Sequence, residues 1–241
     1  MWKQTLAVTG GVVRPIKCTW VLIDFKWVAS DNYYKSIAES PGSIYLQNDN
    51  RIEVEIERER RTLDPCEKLG IQTVVTGCED LELEYLHTKI TEWLSMIEHS
   101  TLSSSLNTNA LLTHITKSIE YPLPTTCFSK EECRELELAL YPKTLPKCGI
   151  SSKFPLVLRY AAKTFYGLLI PSFYHQQGLH HCKELIKSLP LQNTTSQQFQ
   201  VSQQLIQITL GSRLDIFQVP SNHCASLIDK CWMQEIWDYL S

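Results

Sequence analysis

The sequence predicts an α+β chain: a small antiparallel sheet of hairpins in the N-terminal third, followed by a mainly α-helical region. Three observations carry that prediction. Residues 20–56 mix aromatic, β-branched and charged residues between short turn-forming clusters, the pattern of half-buried hairpin strands. From about residue 80 the period changes, and Leu83, Leu86, Ile90, Leu94 and Ile97 recur three or four residues apart, as on one face of a helix. Helix punctuation then becomes dense, with a Ser129-x-x-Glu132 capping-box spacing and prolines at 122, 124, 142 and 146.

The elements follow in order. Leu6 lies four residues after Trp2, on one helical face, and Gly10 closes that helix because it takes positive φ without steric cost. Pro15 starts a turn. Trp20 to Trp27 reads as a buried strand, and Tyr33 to Ala38, after a Ser-Asp-Asn turn, as its hairpin partner. Ser43–Gln47 and Arg51–Ile56 flank Asn48-Asp49-Asn50 as a second hairpin. Its period of two points Ile52, Val54 and Ile56 inward and Glu53, Glu55 and Glu57 outward. The charged run 57–61 is then exposed strand end and loop. Lys68 to Ile71 is a short strand whose Gly70 marks a close backbone approach.

In the helical part, the first stripe leaves Glu82, Lys89 and Glu92 outside it. A second stripe uses Leu106, Ala110, His114 or Ile115, and Ser118 or Ile119, with the serines at 103–105 as its cap and Tyr121-Pro122-Leu123-Pro124 as its end. A third helix opens at Ser129, carries Cys133, Leu136 and Leu140, and ends at Pro142 and Pro146. Residues 154–177 are rich in aromatics and punctuated by Gly167 and Pro171, which makes them a folded connection. Tyr174–Leu189 is a fourth helix with Leu179, Cys182, Ile186 and Leu189 on one side. Residues 190–200 read as a polar linker, and Val201–Leu210 and Ala225–Leu240 as two final helices, the last with Trp232, Ile236 and Tyr239 at helical spacing. These shifts divide the chain into 1–78, 79–150 and 151–241.

Composition narrows the function. An apolar share of 43% supports a packed core, and no run of about 18 apolar residues offers a membrane span. Nine cysteines, an odd number without a CxxC pair, point to reduced thiols in the cytoplasm or nucleus. Adjacent His180, His181 and Cys182 point about 100° apart on a helix, an arrangement that rarely ligates one ion, and Cys182 on the apolar stripe reads first as a core thiol and second as a zinc ligand. There is no GxGxxG, no Walker loop and no GxSxG. The net charge is −3, but it is unevenly spread. Residues 1–120 hold 12 Lys/Arg against 17 Asp/Glu, and residues 121–241 hold 11 against 9. From Lys143 to Lys187 the cations Lys143, Lys147, Lys153, Arg159, Lys163, Lys183 and Lys187 meet only Glu184. A locally basic face binds phosphate backbones; the same run also reads as an ordinary solvated surface. The aromatics at 154–174 read first as core and second as a platform for stacking bases.

The stretch TGGVVRPIKCTWVLIDF, Thr9 to Phe25, resembles the late palm of a retrotransposon (non-LTR-like) reverse transcriptase, where a short helix, a glycine, a turn and a lysine precede the last palm strands. EKLGI at 67–71 resembles the Leu-Gly hairpin beside the primer end in that family. IEYPLPTTCFSKEEC, LPKCGI and GLLIPSFYHQQGL are similar to its helical thumb and connection regions. The resemblance implies the C-terminal part of an RNA-directed DNA polymerase, a nucleotidyltransferase of a transposable element. Its partners are then an RNA template, a DNA primer and the fingers and palm half of the polymerase, with no membrane. It implies Lys17 as a general acid toward departing pyrophosphate, a role typically worth roughly 10²–10⁴ in rate, whereas by itself Lys17 reads as an ordinary solvated turn lysine; it also implies Gly70 as a nucleic-acid contact, and the basic run adds Lys143, Lys147, Lys153, Arg159 and Lys163 as candidate phosphate contacts.

One departure bears on chemistry. The family holds two magnesium ions on an aromatic-x-Asp-Asp signature, and this sequence contains no Asp-Asp pair. Asp24 follows the lysine and does not match those positions. The resemblance therefore implies a metal site upstream of Met1, no cofactor in this chain, Mg²⁺ only in the complete polymerase, and no synthesis by this chain alone. The alternative reading is a non-enzymatic nucleic-acid- or protein-binding domain derived from a decayed retroelement.

Overall fold

Short strands with a period of two pair with their nearest neighbours, and three of the four described strand pairs in the N-terminal part are built that way. The structure, a computed structural model, describes residues 18–20, 23–28, 31–36, 42–47, 52–58, 66–68, 70–73, 79–191, 193–221, 228 and 230–241. The helix expected before Thr9, the turn at Pro15, and Lys17 lie outside the described residues. The chain is α+β and mainly helical, and it divides into two units, Met1–Leu81 and Glu82–Ser241.

In the first unit β2 (Ile23–Val28) pairs antiparallel with β3 (Asp31–Ser36), from Ile23↔Ser36 to Val28↔Asp31. Asp31 and Asn32, expected in the turn, are therefore strand residues. Asp24 stands opposite Lys35. β4 (Tyr45–Gln47) pairs with β5 (Glu53–Glu55), as the alternation predicted. Ile56 is buried and its N–H continues the ladder to Ile44 O at 2.9 Å, but Ile52 at the other end faces solvent. β1 (Thr19–Trp20) and β6 (Glu57–Arg58) form a parallel pair, closed by Trp20 Nε1 donating to Ile56 O at 3.3 Å. β7 (Cys66–Lys68) and β8 (Ile71–Thr73) form a third hairpin. The segment around Gly70 is thus a turn rather than the interior of one strand. The described strands associate only in twos, so the sheet is a set of separate ladders.

The second unit is helical. α1 (Asp80–His99) buries Leu86, Ile90 and Ile97 on its apolar stripe, but also Glu82, which the periodicity had put outside. α2 (Ser104–Ala110) opens on Ser103, whose hydroxyl accepts from Leu106 N. It passes through a π-turn (Leu111–Ile115) into α3 (Thr116–Glu120), and Thr116 N–H reaches Leu111 O five residues back. That extra residue rotates the helix face. Leu111, Ile115 and Ile119 are buried, whereas Leu106 is 53% exposed, off the stripe expected for it.

α4 (Lys130–Lys147) starts on a complete capping box: Glu132 N donates to Ser129 Oγ and Ser129 N to Glu132 Oε2. It does not stop at Pro142, but runs through it and Pro146. Proline at 142 leaves the Leu138 carbonyl without its helix partner, and Leu138 is exposed, so water can satisfy that group. The other face of α4 buries Cys133, Leu136, Leu140, Tyr141 and Leu145, and the three leucines alone contribute about 1.5–3 kcal/mol each. That weight outweighs the proline cost.

α5 (Leu156–Tyr160) and a short 3₁₀ turn (Lys163–Phe165) lead by an irregular strap (167–172) to α6 (Phe173–Ser188). α6 turns Phe173, Gln177, Gly178, His181 and Leu185 inward, so Ile186 and Leu189, expected on the buried side, face out. Polar residues hold that inner face because they have partners. Gln177 clamps the Phe128 backbone, accepting from its N–H at 3.1 Å and donating to its carbonyl at 2.7 Å. The polar stretch 190–200 is not a linker: Asn193 accepts from Ser196 N at 2.9 Å and caps α7 (Thr194–Leu210). α8 (Trp232–Leu240) starts later than expected, and most of 225–231 lies outside the described residues.

Two buried clusters result. Leu86, Ile90, Leu111, Ile119, Phe128, Leu136, Tyr141 and Phe173 pack as one core. Leu185, Ile206, Ile216, Met233, Ile236 and Trp237 pack as the other.

Candidate nucleic-acid interface

Lys143 and Lys147 lie four residues apart on α4 and so share a helix face. Both are exposed. Lys147 Nζ donates to Glu98 O at 2.9 Å, which places the ammonium over the C-terminal end of α1, where carbonyls carry partial negative charge. Gly149, at φ +77°, closes α4 in the left-handed region. Lys153 follows in an exposed turn, its N–H on Ser151 Oγ at 3.2 Å.

Arg159 departs from this set. It is only 6% exposed, with its guanidinium carbon 5.3 Å from the Tyr141 ring centroid. It therefore belongs to the interior and not to a phosphate-facing surface. Around it Tyr160 donates to Glu137 Oε2, Phe173 N donates to Glu137 Oε1 at 2.8 Å, and Tyr141 donates to Pro171 O at 2.8 Å. Burial, then the Glu137 carboxylate, push the Tyr160 phenol well above its ordinary range, so it stays a donor. Burial does the same to Tyr141.

This network fixes α5 and the strap to α4, and the loop between them is tied as well. Gly167, Leu168, Leu169 and Ile170 N–H groups reach the carbonyls of Ala162, Leu158, Ala161 and Arg159 at 3.0–3.1 Å. Tyr166 and Leu169 take positive φ, 59° and 53°, at a cost of about 1–2 kcal/mol each. A Cβ on Gly167 would come within 2.0 Å of Ala161 O, so only glycine fits. The product is a firmly held loop on which Phe165 and Tyr166 are 72% and 92% exposed, beside exposed Lys163. Of the aromatics at 154–174, Phe173 is core as first read, while this pair stands in solvent. The sequence signal was Lys-Thr-Phe-Tyr-Gly, a cation beside two aromatics ahead of a turn glycine.

Gly70 sits in the β7–β8 connection at φ +84°, with open space where a Cβ would be. The backbone there needs glycine, and nothing crowds it. Lys17 is outside the described residues. Among the described residues no group of three or more His, Cys, Asp or Glu is placed to hold a metal. His181 is core: its Nε2 lies 3.2 Å from Leu123 O and its ring 4.7 Å from Trp232. Burial pushes it down to about 4, so it is neutral. No helix among the described residues is long and apolar enough to cross a membrane.

No protein-family model matches the chain. No curated protein matches it significantly. No solved structure does either.

Proposed function

We propose that the chain is the C-terminal, thumb-and-connection part of a retroelement reverse transcriptase. It grips RNA template and DNA primer, while aspartates elsewhere in the polymerase hold the Mg²⁺ ions. The reading rests on the order of the motifs from Thr9 to Leu179. The observation that carries its nucleic-acid side is the run Lys143, Lys147, Lys153 and Lys163, exposed on one unit and ending at the exposed Phe165–Tyr166 pair. Lysines track phosphates and aromatic faces accept bases. Gly70, in its hairpin turn, leaves room for a backbone or primer to approach. Such a protein works inside the cell, in cytoplasm or nucleus, and is inactive in synthesis on its own.

The test is affinity for an RNA–DNA duplex across a salt series. Affinity falling steeply with salt supports the reading, and each lysine that touches phosphate contributes about 0.9 to the log–log slope. Replacing Lys143, Lys147, Lys153 and Lys163 by Gln flattens the slope by up to about 3.6 on that basis. Absence of binding even at low salt refutes it.

A further inference from the structure

Phe165 and Tyr166 stand in solvent on a loop that is tied down along its length. Backbone hydrogen bonds run from residues 167–170 back to residues 158–162, and Tyr160, donating to Glu137, fastens α5 to α4. Tyr166 and Leu169 keep positive φ there, a strain that persists only where the surroundings over-determine the backbone. Rings held this rigidly in water lose little freedom when something binds them. The charge around the loop is of one sign. No acidic residue stands between Glu137 and Glu184 in the chain, whereas exposed Lys153 and Lys163 precede the pair and exposed Lys183 follows it. Bare aromatic faces in a cationic surround fit an anionic partner with flat apolar faces of its own.

We propose that Phe165 and Tyr166 stack on unpaired bases where a single strand runs off the duplex. The proposal rests on the nucleic-acid reading above and adds the strand state that the loop selects. Inside a duplex each base face is covered by its neighbour, so a ring reaches it only by opening the stack, which costs about as much as one base–aromatic contact returns. Unpaired bases present their faces without that cost, and every base has one, so the loop is indifferent to sequence. The position of the loop agrees. Glu137, where Tyr160 anchors its base, lies six and ten residues before Lys143 and Lys147 on α4, about 9 and 15 Å at 1.5 Å per residue. At about 3.4 Å per phosphate along one strand, that is about three to four nucleotides. The end of a duplex and its first unpaired bases therefore fit on this one unit.

The experiment measures the affinity of the full chain for one RNA–DNA duplex with three kinds of end. One is blunt, one carries a single-stranded extension of about six nucleotides, within the span of a single-strand site, and one carries the same extension with abasic sugars. The abasic form keeps the phosphates and removes the bases. Extensions are made in RNA and in DNA, and a preference for bases in either supports the proposal and names the strand. The base-bearing extension should bind about ten-fold tighter than the abasic one, equivalent to about 1.4 kcal/mol and within what one stacked base supplies. Phe165→Ala with Tyr166→Ala should bring the two to equality with helical circular dichroism unchanged, and Phe165→Trp with Tyr166→Phe should keep the preference. Equal binding of base-bearing and abasic extensions by the parent, or a preference that survives the double alanine variant, overturns the proposal; if the blunt duplex still binds, the duplex reading stands. Loss of all binding at low salt overturns both. Capture of vesicles containing phosphatidylserine by the parent but not by the double alanine variant, without a base preference, also overturns it and assigns the loop to a lipid surface.

Discussion

Replacing Gln177 by Met tests whether α6 is held by hydrogen bonds or by packing alone. Gln177 is fully buried, and its carboxamide serves three groups: Phe128 N–H at 3.1 Å, Phe128 C=O at 2.7 Å and the Thr126 hydroxyl at 3.4 Å. Methionine keeps the length and volume and removes every hydrogen bond, so no cavity term enters. The two Phe128 backbone groups are then stranded in the core, each at about 1–3 kcal/mol. The weaker contact to Thr126 adds little. The expected loss is about 2–6 kcal/mol. With a urea slope of about 3 kcal/mol per molar for a chain of this size, the midpoint should fall by about 0.7–2 M. Helical circular dichroism reports this transition, because the long helices lie in the second unit. Gln197→Met, on the exposed side of α7, serves as control and should stay within about 0.5 kcal/mol. A midpoint shift for Gln177→Met no larger than the control's would refute the clamp and leave packing as the only tie.

Three further outcomes follow from the same geometry. His181 is held neutral by burial, at about 4 against an unfolded value near 6.5, so its contribution is complete above about pH 6.5 and is lost as the pH falls toward 4. It amounts to at most about 3 kcal/mol, and urea midpoints at a series of pH values should show His181→Leu losing less stability on acidification than the parent. Gly178→Ala puts a Cβ 2.3 Å from Tyr239 Cδ2, so Tyr239 must leave its 2.7 Å hydrogen bond with His175. The overpacking costs about 1–3 kcal/mol, visible as a Tm lowered by about 2–4 °C per kcal/mol. Ser129→Ala breaks the α4 capping box at about 1 kcal/mol, and an unchanged Tm would show that Glu132 and its ion pair to Lys230 at 2.7 Å hold the helix start alone.

The sequence by itself determined the class of the chain, the hairpin alternation at 45–56 and the start of α4. Those are local matters: a period of two, a period of 3.6 and a capping box are each written within a few residues. It misjudged the end of α4, because proline is a local penalty while the buried leucines and Tyr141 that outweigh it act through neighbours far along the chain. It misjudged the inner face of α6 and the polar stretch before α7 for the same reason. Gln177 and His181 are tolerable inside only because Phe128 and Leu123 come to meet them, and Asn193 is a cap only once a helix follows. The candidate sites divide likewise. Lysine spacing showed a basic run, but only tertiary structure buried Arg159 against Tyr141 and lifted Phe165 and Tyr166 into solvent. Burial and partnership depend on residues brought together from distant parts of the chain, and no short stretch of sequence records them.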